Sequence, residues 1–216
     1  CGYAVGNNLG LSKVDTKYAL ILNPDTLIKT DSIKNFFTSA NSHPDFWLMG
    51  PGQQETKTYL TNKEKIFEVN NLKGFAIFFN MIKFGNDFFD ENFFLYFEES
   101  DFCLRAYKIN KNYQINNIKV SHKVGTSVNV KNEIEKNELE NLYSWHFIWS
   151  KFYYHKKNYG LFYSMIYFLP IFFRIIFRII IYTVTRNYKK REKFITRFEG
   201  LIASMKGLKS YKRLKN

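Results

Sequence analysis

Three carboxylates, Glu98, Glu99 and Asp101, stand within four consecutive positions of the aromatic stretch FFLYFEESDFCLRAYK, residues 93–108. Carboxylates at that spacing repel one another, so a fold keeps them together only where solvent, a cation or a basic partner shares the space. A fourth acid, Asp25, follows the apolar run Tyr18 to Leu22 and the turn residues Asn23 and Pro24. Each has a plain reading by itself: acids are favoured at a helix start by the helix dipole, and Asp is a common turn residue. Taken together, an acidic strand end and an acidic helix start are the parts from which a divalent-cation site and a carboxylate base can be assembled.

The elements that must position these groups are legible from pattern. A short apolar run closed by a turn reads as a buried strand presenting polar side chains at its C-terminal end, which is where open α/β sheets bind ligands. Thr30 or Asp31 is placed to cap a helix carrying Ile33, Phe36 and Phe37. FWLMG before Pro51 and KGFAIFF from Lys73 read as further core strands, and residues 52–73 as a hairpin or loop. Glu98 to Asn110 reads as a helix with Phe102 and Ala106 on one face. YQINNIKVSH alternates and reads as one strand ending at His122. Glu133 to Lys157 reads as a long helix, and the opening CGYAVGNNLG as a loop. Alternating strand and helix signals place the chain in the α/β class.

The formal charge of +13 is informative because of its location. Residues 1–155 hold 17 Lys/Arg and 17 Asp/Glu, whereas residues 156–216 hold 15 Lys/Arg against Glu192 and Glu199. A nucleic-acid binder with its groove in the main domain would be basic there as well. Two cysteines, Cys1 and Cys103, supply neither a disulfide framework nor a metal knuckle, so a reducing compartment is the expectation. With no initiator Met and no signal peptide, the chain reads as a piece of a longer protein.

From Leu161 to Val184 the sequence is nearly all apolar, interrupted by Pro170, Arg174 and Arg178. Arg174, Arg178, Tyr182 and Arg186 fall four apart, which gives one polar helical face against Ile and Phe elsewhere. That is the pattern of an interfacial membrane helix followed by a basic tail for anionic head groups. A membrane span carrying two central arginines and a buried or oligomer-forming helix are the competing readings.

Four blocks, GYAVGNNLGLSKVDTKYALILNPDT, KGFAIFF, FFDENFFLYFEESDFCLRAYKINKNY and VSHKVGTS, in this order, resemble the family 2 glycosyltransferases, in particular the bacterial rhamnosyltransferase-like branch that builds lipopolysaccharide O-antigen and related surface polysaccharides. The likeness covers about residues 2–128. It implies a partial GT-A domain, a Rossmann-like α/β fold, using a nucleotide-diphosphate sugar and Mg²⁺ or Mn²⁺ and inverting the anomeric centre. By that resemblance Asn23 and Asp25 match the Asp-x-Asp variant, with Asp25 on the metal and donor diphosphate, and Asn8 lies near the nucleotide. Glu98 and Glu99 match the pair whose second member is the general base, where the family more often has Asp. Asp101 and Arg105 continue that motif, His122 matches a residue at the metal or diphosphate rim, and Gly74 lies on the acceptor side.

The same resemblance places the family's first strand, helix and second strand ahead of this chain, so the donor pocket is expected to be incomplete and the fragment inactive alone. The expected organisation is a partial catalytic domain over 1–130, a helical extension over 131–160 and an amphipathic membrane helix with basic tail over 161–216. The implied acceptor is a polyprenyl-diphosphate-linked glycan, handled peripherally at the cytoplasmic face of the bacterial inner membrane, with no nucleic-acid partner. A non-enzymatic basic module for membrane surfaces or nucleic acid, and an inactive transferase remnant, are the alternatives. A duller role for His122 is a strand-end histidine bonded to backbone, and for Arg105 an ion pair with Asp101 four residues earlier.

Overall fold

The computed structural model describes residues 2–52, 66–85, 88–118, 120–122 and 132–214. The chain divides into two compact units, both discontinuous in sequence: an α/β unit, Gly6–Phe89 with Glu99–Asn129, and a helical unit, Cys1–Val5 with Asp90–Glu98 and Val130–Asn216. The division therefore differs from the expected domains, because the acidic-aromatic segment before Glu99 belongs with the helices.

The opening residues are helical, not a loop: α1 spans Tyr3–Leu11. Strand β1 is Tyr18–Leu22, β2 Thr26–Ile28, helix α2 Thr30–Ser42, β3 Phe46–Pro51, β4 Ile66–Glu68, β5 Ala76–Asn80, helix α3 Glu98–Ile109, β6 Lys111–Ile115 and β7 Val120–His122. Helix α2 starts one residue earlier than Thr30 as a cap would allow. Lys29 takes the N-cap position without a side-chain bond, and Asp31 sits inside the first turn, where its charge favours the dipole.

Strands β1, β5, β3, β6 and β4 form one sheet in that order, with β3 and β6 parallel and the other pairs antiparallel. The core follows from the period of two along β5. Phe78 stacks on Phe36 of α2 at 4.9 Å, while its neighbour Phe79 stacks on Phe102 of α3 at 5.6 Å. Every residue of β5 is buried, so this strand carries a helix on each face. The single strand expected over YQINNIKVSH is instead two. Lys111–Ile115 joins the large sheet, and after a turn at Asn116 and Asn117, Val120–His122 pairs with β2 in a separate ladder. Paired Asn residues are strong turn formers, and they override the alternation.

The helical unit is built on α4 Glu133–Tyr159, α5 Leu161–Val184 and α6 Tyr188–Met205. Asn132 caps α4 by accepting from the Glu135 N–H, and Gly160, at φ +90°, makes the turn into α5 that a residue with a Cβ resists. Ile148 and Phe152 of α4, Phe168 and Ile175 of α5, and Leu201 of α6 form the central cluster. Gly200 lets α6 approach closely: a Cβ there would lie 2.6 Å from the Trp145 carbonyl oxygen. Helix α5 continues through Pro170 without interruption.

The basic tail is not a free extension. His146 of α4 is bonded to Ser210 and to the Lys212 carbonyl, each at 2.9 Å, and Trp149 donates to the Leu208 carbonyl at 3.0 Å. Tyr211 meets Trp145 edge-on, and the Arg213 guanidinium lies 3.5 Å above the Phe94 ring centre.

Candidate functional site

Within the α/β unit, β1 ends at Leu22 opposite Ala76, so its C-terminal end lies beside the start of β5. The ladder extends one step further, with the Asn23 N–H donating to the Phe75 carbonyl at 2.9 Å. Asn23 and Gly74 are thereby brought to one place, the turn that leads into β5. Asp25 follows on the loop between β1 and β2, half-buried. The β2–β7 ladder sets His122 opposite Thr26, the residue after Asp25, so the strand pairing delivers His122 to the same loop.

The turn before β5 also carries the approach to α3. Leu72 is buried and packs against Gly50, where a Cβ would come within 2.9 Å of a Leu72 methyl. Its backbone N–H acts on the Cys103 thiol one turn into α3, against the burial that raises that thiol, and the Lys73 charge acts on Glu99. Residues 72–75 are thus the piece of chain that both the β1 end and the α3 start engage. Lys73 was not singled out from sequence; the only signal available was its position next to Gly74.

Burial dominates the electrostatics of Glu99. Burial raises its carboxyl above the ordinary range, while its own N–H, the Lys73 charge and the Ser100 N–H pull the other way. The nearby Cys103 thiol is pushed up to about 12, first by its burial and further by Glu99, which leaves it a core residue without nucleophilic character.

Asp101, Arg105 and Asn8 converge elsewhere in the unit. Asp101 is wholly buried and accepts from Arg105 Nε at 3.0 Å. Arg105 also donates to the Phe88 carbonyl and lies over the Phe102 ring. Asn8 clasps the next residue, donating to the Phe89 carbonyl at 2.9 Å and accepting the Phe89 N–H at 3.0 Å. These three side chains lock the Phe88–Phe89 segment against α1 and α3. Separately, Asn112 of β6 ties that strand to α3, donating to the Cys103 carbonyl at 2.9 Å. Concavities of about 480 and 360 Å³ also open on this unit, and neither is lined by Asp25 or Glu99.

In the helical unit, Tyr96 and Phe97 are consecutive residues in the left-handed region, at φ +70° and +67°, immediately before Glu98. Such conformations cost on the order of 1–3 kcal/mol each for residues with a Cβ. They are held by ring contacts: Tyr96 on Phe147 at 5.6 Å and Phe97 on Tyr154 at 5.5 Å. Glu98 is buried, and its charge adds to the burial and Tyr143 effects that push the Tyr96 phenol up to about 12.

Among the described residues, no group of three or more His, Cys, Asp or Glu side chains converges to hold a metal ion. Mg²⁺ does not require such a cage, since it is commonly held by one or two carboxylates together with substrate phosphates. Comparison with family models, curated proteins and solved structures found no match to this chain.

Proposed function

We propose that the α/β unit is the metal, acceptor and base portion of a GT-A glycosyltransferase, and that it serves inverting transfer of a sugar from a nucleotide-diphosphate donor to a lipid-linked glycan in surface polysaccharide synthesis. The observation that carries the reading is the Leu72–Phe75 turn. It is hydrogen-bonded to the end of β1 that bears Asn23 and Asp25, and it sets a positive charge beside Glu99.

Asp25, with His122 arriving on the paired strand, is the residue that would hold Mg²⁺ or Mn²⁺ against the donor diphosphate. A cation bound there would stabilise the negative charge that grows on the departing diphosphate. Glu99 takes the proton from the attacking acceptor hydroxyl. Its raised proton affinity suits that task, and in its ionised form it requires a hydroxyl within about 3 Å. Single displacement needs one base and no covalent carboxylate intermediate, which leaves Asp101 free to act through Arg105 as a positioning residue. The Asp101–Arg105–Phe88 connections fix the rotation of α3 and so the direction of Glu99. Asn8 anchors the same segment from α1.

The test is transfer of labelled sugar from a panel of nucleotide-diphosphate donors to a polyprenyl-diphosphate oligosaccharide, with Mn²⁺ or EDTA. Glu99→Gln should lower turnover by about 10²–10⁴-fold while donor binding persists. Asp25→Ala should remove Mn²⁺-dependent binding of a nucleoside diphosphate, read by calorimetry. A wild-type rate in Glu99→Gln, or a loss confined to Glu98→Gln, overturns the base assignment. Absence of transfer with every donor, both by this chain and by a longer protein containing it, overturns the reading.

A further inference from the structure

Helix α5 is long and apolar enough to cross a membrane by length and composition, yet little of it is buried in the protein. Its turns resolve into three stripes. Ser164, Phe168 and Ile175 are buried, and Ile171, Phe172 and Ile179 pack beside them against α4 and α6. On the outside, Phe162, Ile166, Leu169, Phe173, Phe177 and Val184 form an exposed apolar stripe running the length of the helix, with Phe162 80% and Val184 77% exposed. Between the two lies a third stripe of Tyr163, Tyr167, Arg174, Arg178 and Tyr182. Tyr163 and Tyr167 stack on each other at its N-terminal end, and Arg178 donates to the Tyr182 hydroxyl at its C-terminal end.

We propose that this surface binds an anionic lipid leaflet, with α5 lying in the plane of the membrane, its outer stripe inserted at the level of the upper acyl chains and its arginine and tyrosine stripe at the phosphates. The partner is argued from charge. Among the described residues, no carboxylate pairs with Arg174, Arg178 or Arg186, whereas Lys189, Lys193 and Lys212 on the same unit have acidic partners. Lys190 joins this corner, its ammonium 5.7 Å from the Tyr182 ring centre, so two cations, Arg178 and Lys190, meet one tyrosine, and among the described residues no acid pairs with either. A second protein copy would have to cover the same cations with the same cations, while anionic head groups neutralise them. Tyrosines bordering an apolar band are at home where one edge is dry and the other wet.

The in-plane placement follows from packing. Ile175 and Ile179, in the C-terminal half of α5, share a cluster with Phe194, Phe198 and Leu201 of α6. If α5 crossed the bilayer, α6 would be carried into the hydrocarbon with Lys190, Lys193, Arg197 and Glu199. With the helix parallel to the surface, α4 and α6 stay on the aqueous side and both arginines reach head groups along their own stems.

The proposal is independent of sugar transfer, and its test reads no activity. The purified chain is mixed with vesicles of phosphatidylcholine alone and of phosphatidylcholine with 30–40% phosphatidylglycerol, and bound protein is measured by flotation. Binding should require the anionic lipid and weaken as salt is raised. Phe173→Glu with Phe177→Glu should lower partitioning by roughly tenfold or more, and Arg174→Gln with Arg178→Gln by about tenfold or more at low salt, from about 1 kcal/mol per basic residue at the surface. Both pairs lie on the exposed side, and circular dichroism checks that the helices persist. Single cysteines at 162, 169, 173 and 180, carrying a spin label, then report depth. Uniform shallow depth supports the in-plane helix. A depth gradient along the helix, equal binding to both vesicle types, or a stable dimer in solution that covers the stripe each overturns it.

Discussion

The two units differ in charge: residues 1–155 balance 17 Lys/Arg with 17 Asp/Glu, and the whole cationic excess lies in the helical unit after residue 155. In the α/β unit, polar side chains tie separate segments together: Asn8 to Phe89, Asp101 to Arg105, Asn112 to Cys103, Asn80 to the Phe46 carbonyl. The helical unit also ties its buried polar groups, His146 to Ser210 and Ser204 to the Trp149 carbonyl, but it carries its cations on the outside of a core of aromatic and aliphatic side chains. A charge placed inside must be matched where it sits, while a charge left on a surface remains available to a partner. Under the proposed readings, the first arrangement would serve to aim one carboxylate and the second to adhere to anionic lipid.

Substitutions can separate these roles. The largest effect is expected for Trp145→Ala, which removes an indole from between α4 and α6 and should cost about 3–5 kcal/mol in chemical denaturation, read on the helical signal. Asp101→Asn comes next. It removes the Asp101 charge from a half-buried guanidinium, at a cost of about 2–3 kcal/mol, below the value for a wholly buried pair because Arg105 is 23% exposed. Stability and transfer should fall together in Asp101→Asn, whereas Glu99→Gln should lose transfer alone; equal destabilisation by both would erase the distinction between base and positioning residue.

A pH titration gives a smaller effect. His146 is held neutral: its Nε2–H donates to the Lys212 carbonyl and its Nδ1 accepts from Ser210. Burial, with the Arg213 and Lys212 charges, brings its pKa down to about 4 from 6.5. A depressed pKa means that the unfolded state binds the proton more readily, so this contribution is complete above pH 6.5 and is lost as pH falls towards 4. Asp90 adds a loss at lower pH. Half-burial would raise its carboxyl, but bonds from Lys157 and Asn92 and the Lys157 charge outweigh that and hold it below its ordinary value, so its stabilisation disappears as acid protonates it. The raised Glu99 carboxyl acts in the opposite sense, so the His146 contribution is read by difference: between pH 7 and 5 the midpoint of His146→Gln should fall less than that of the parent. The smallest effect is expected for Arg174→Gln with Arg178→Gln, which should leave the unfolding free energy within about 0.5 kcal/mol of the parent while vesicle binding drops.

Much of the local structure could be read directly. Strand β1, helix α2, the start of α3 at Glu98 and the long α4 and α5 follow apolar periodicity and turn residues, which act over a few positions. Errors arose where two local signals competed. Glycines and asparagines made the α1 segment look like a loop, although Ala4 and Leu11 bury against the fold. The alternation over 113–122 concealed the turn that sends β6 and β7 to different sheets. Basic residues after 186 read as a tail for anionic head groups, and the pattern did not show that the aromatic and small residues among them pack on α4.

Sequence alone determined the inventory: which segments are apolar, where the acids cluster, and that the entire charge excess follows residue 155. Tertiary structure decided what each residue is for. The Asn8 clasp spans 81 positions and the tail contacts on His146 span 64 and 66, separations at which no periodicity carries information. The same holds for Lys73 beside Glu99, and for which stripe of α5 remains bare. Burial and pairing depend on what the rest of the chain brings alongside, and that is settled only when the whole hydrophobic surface has been divided between sheet and helices.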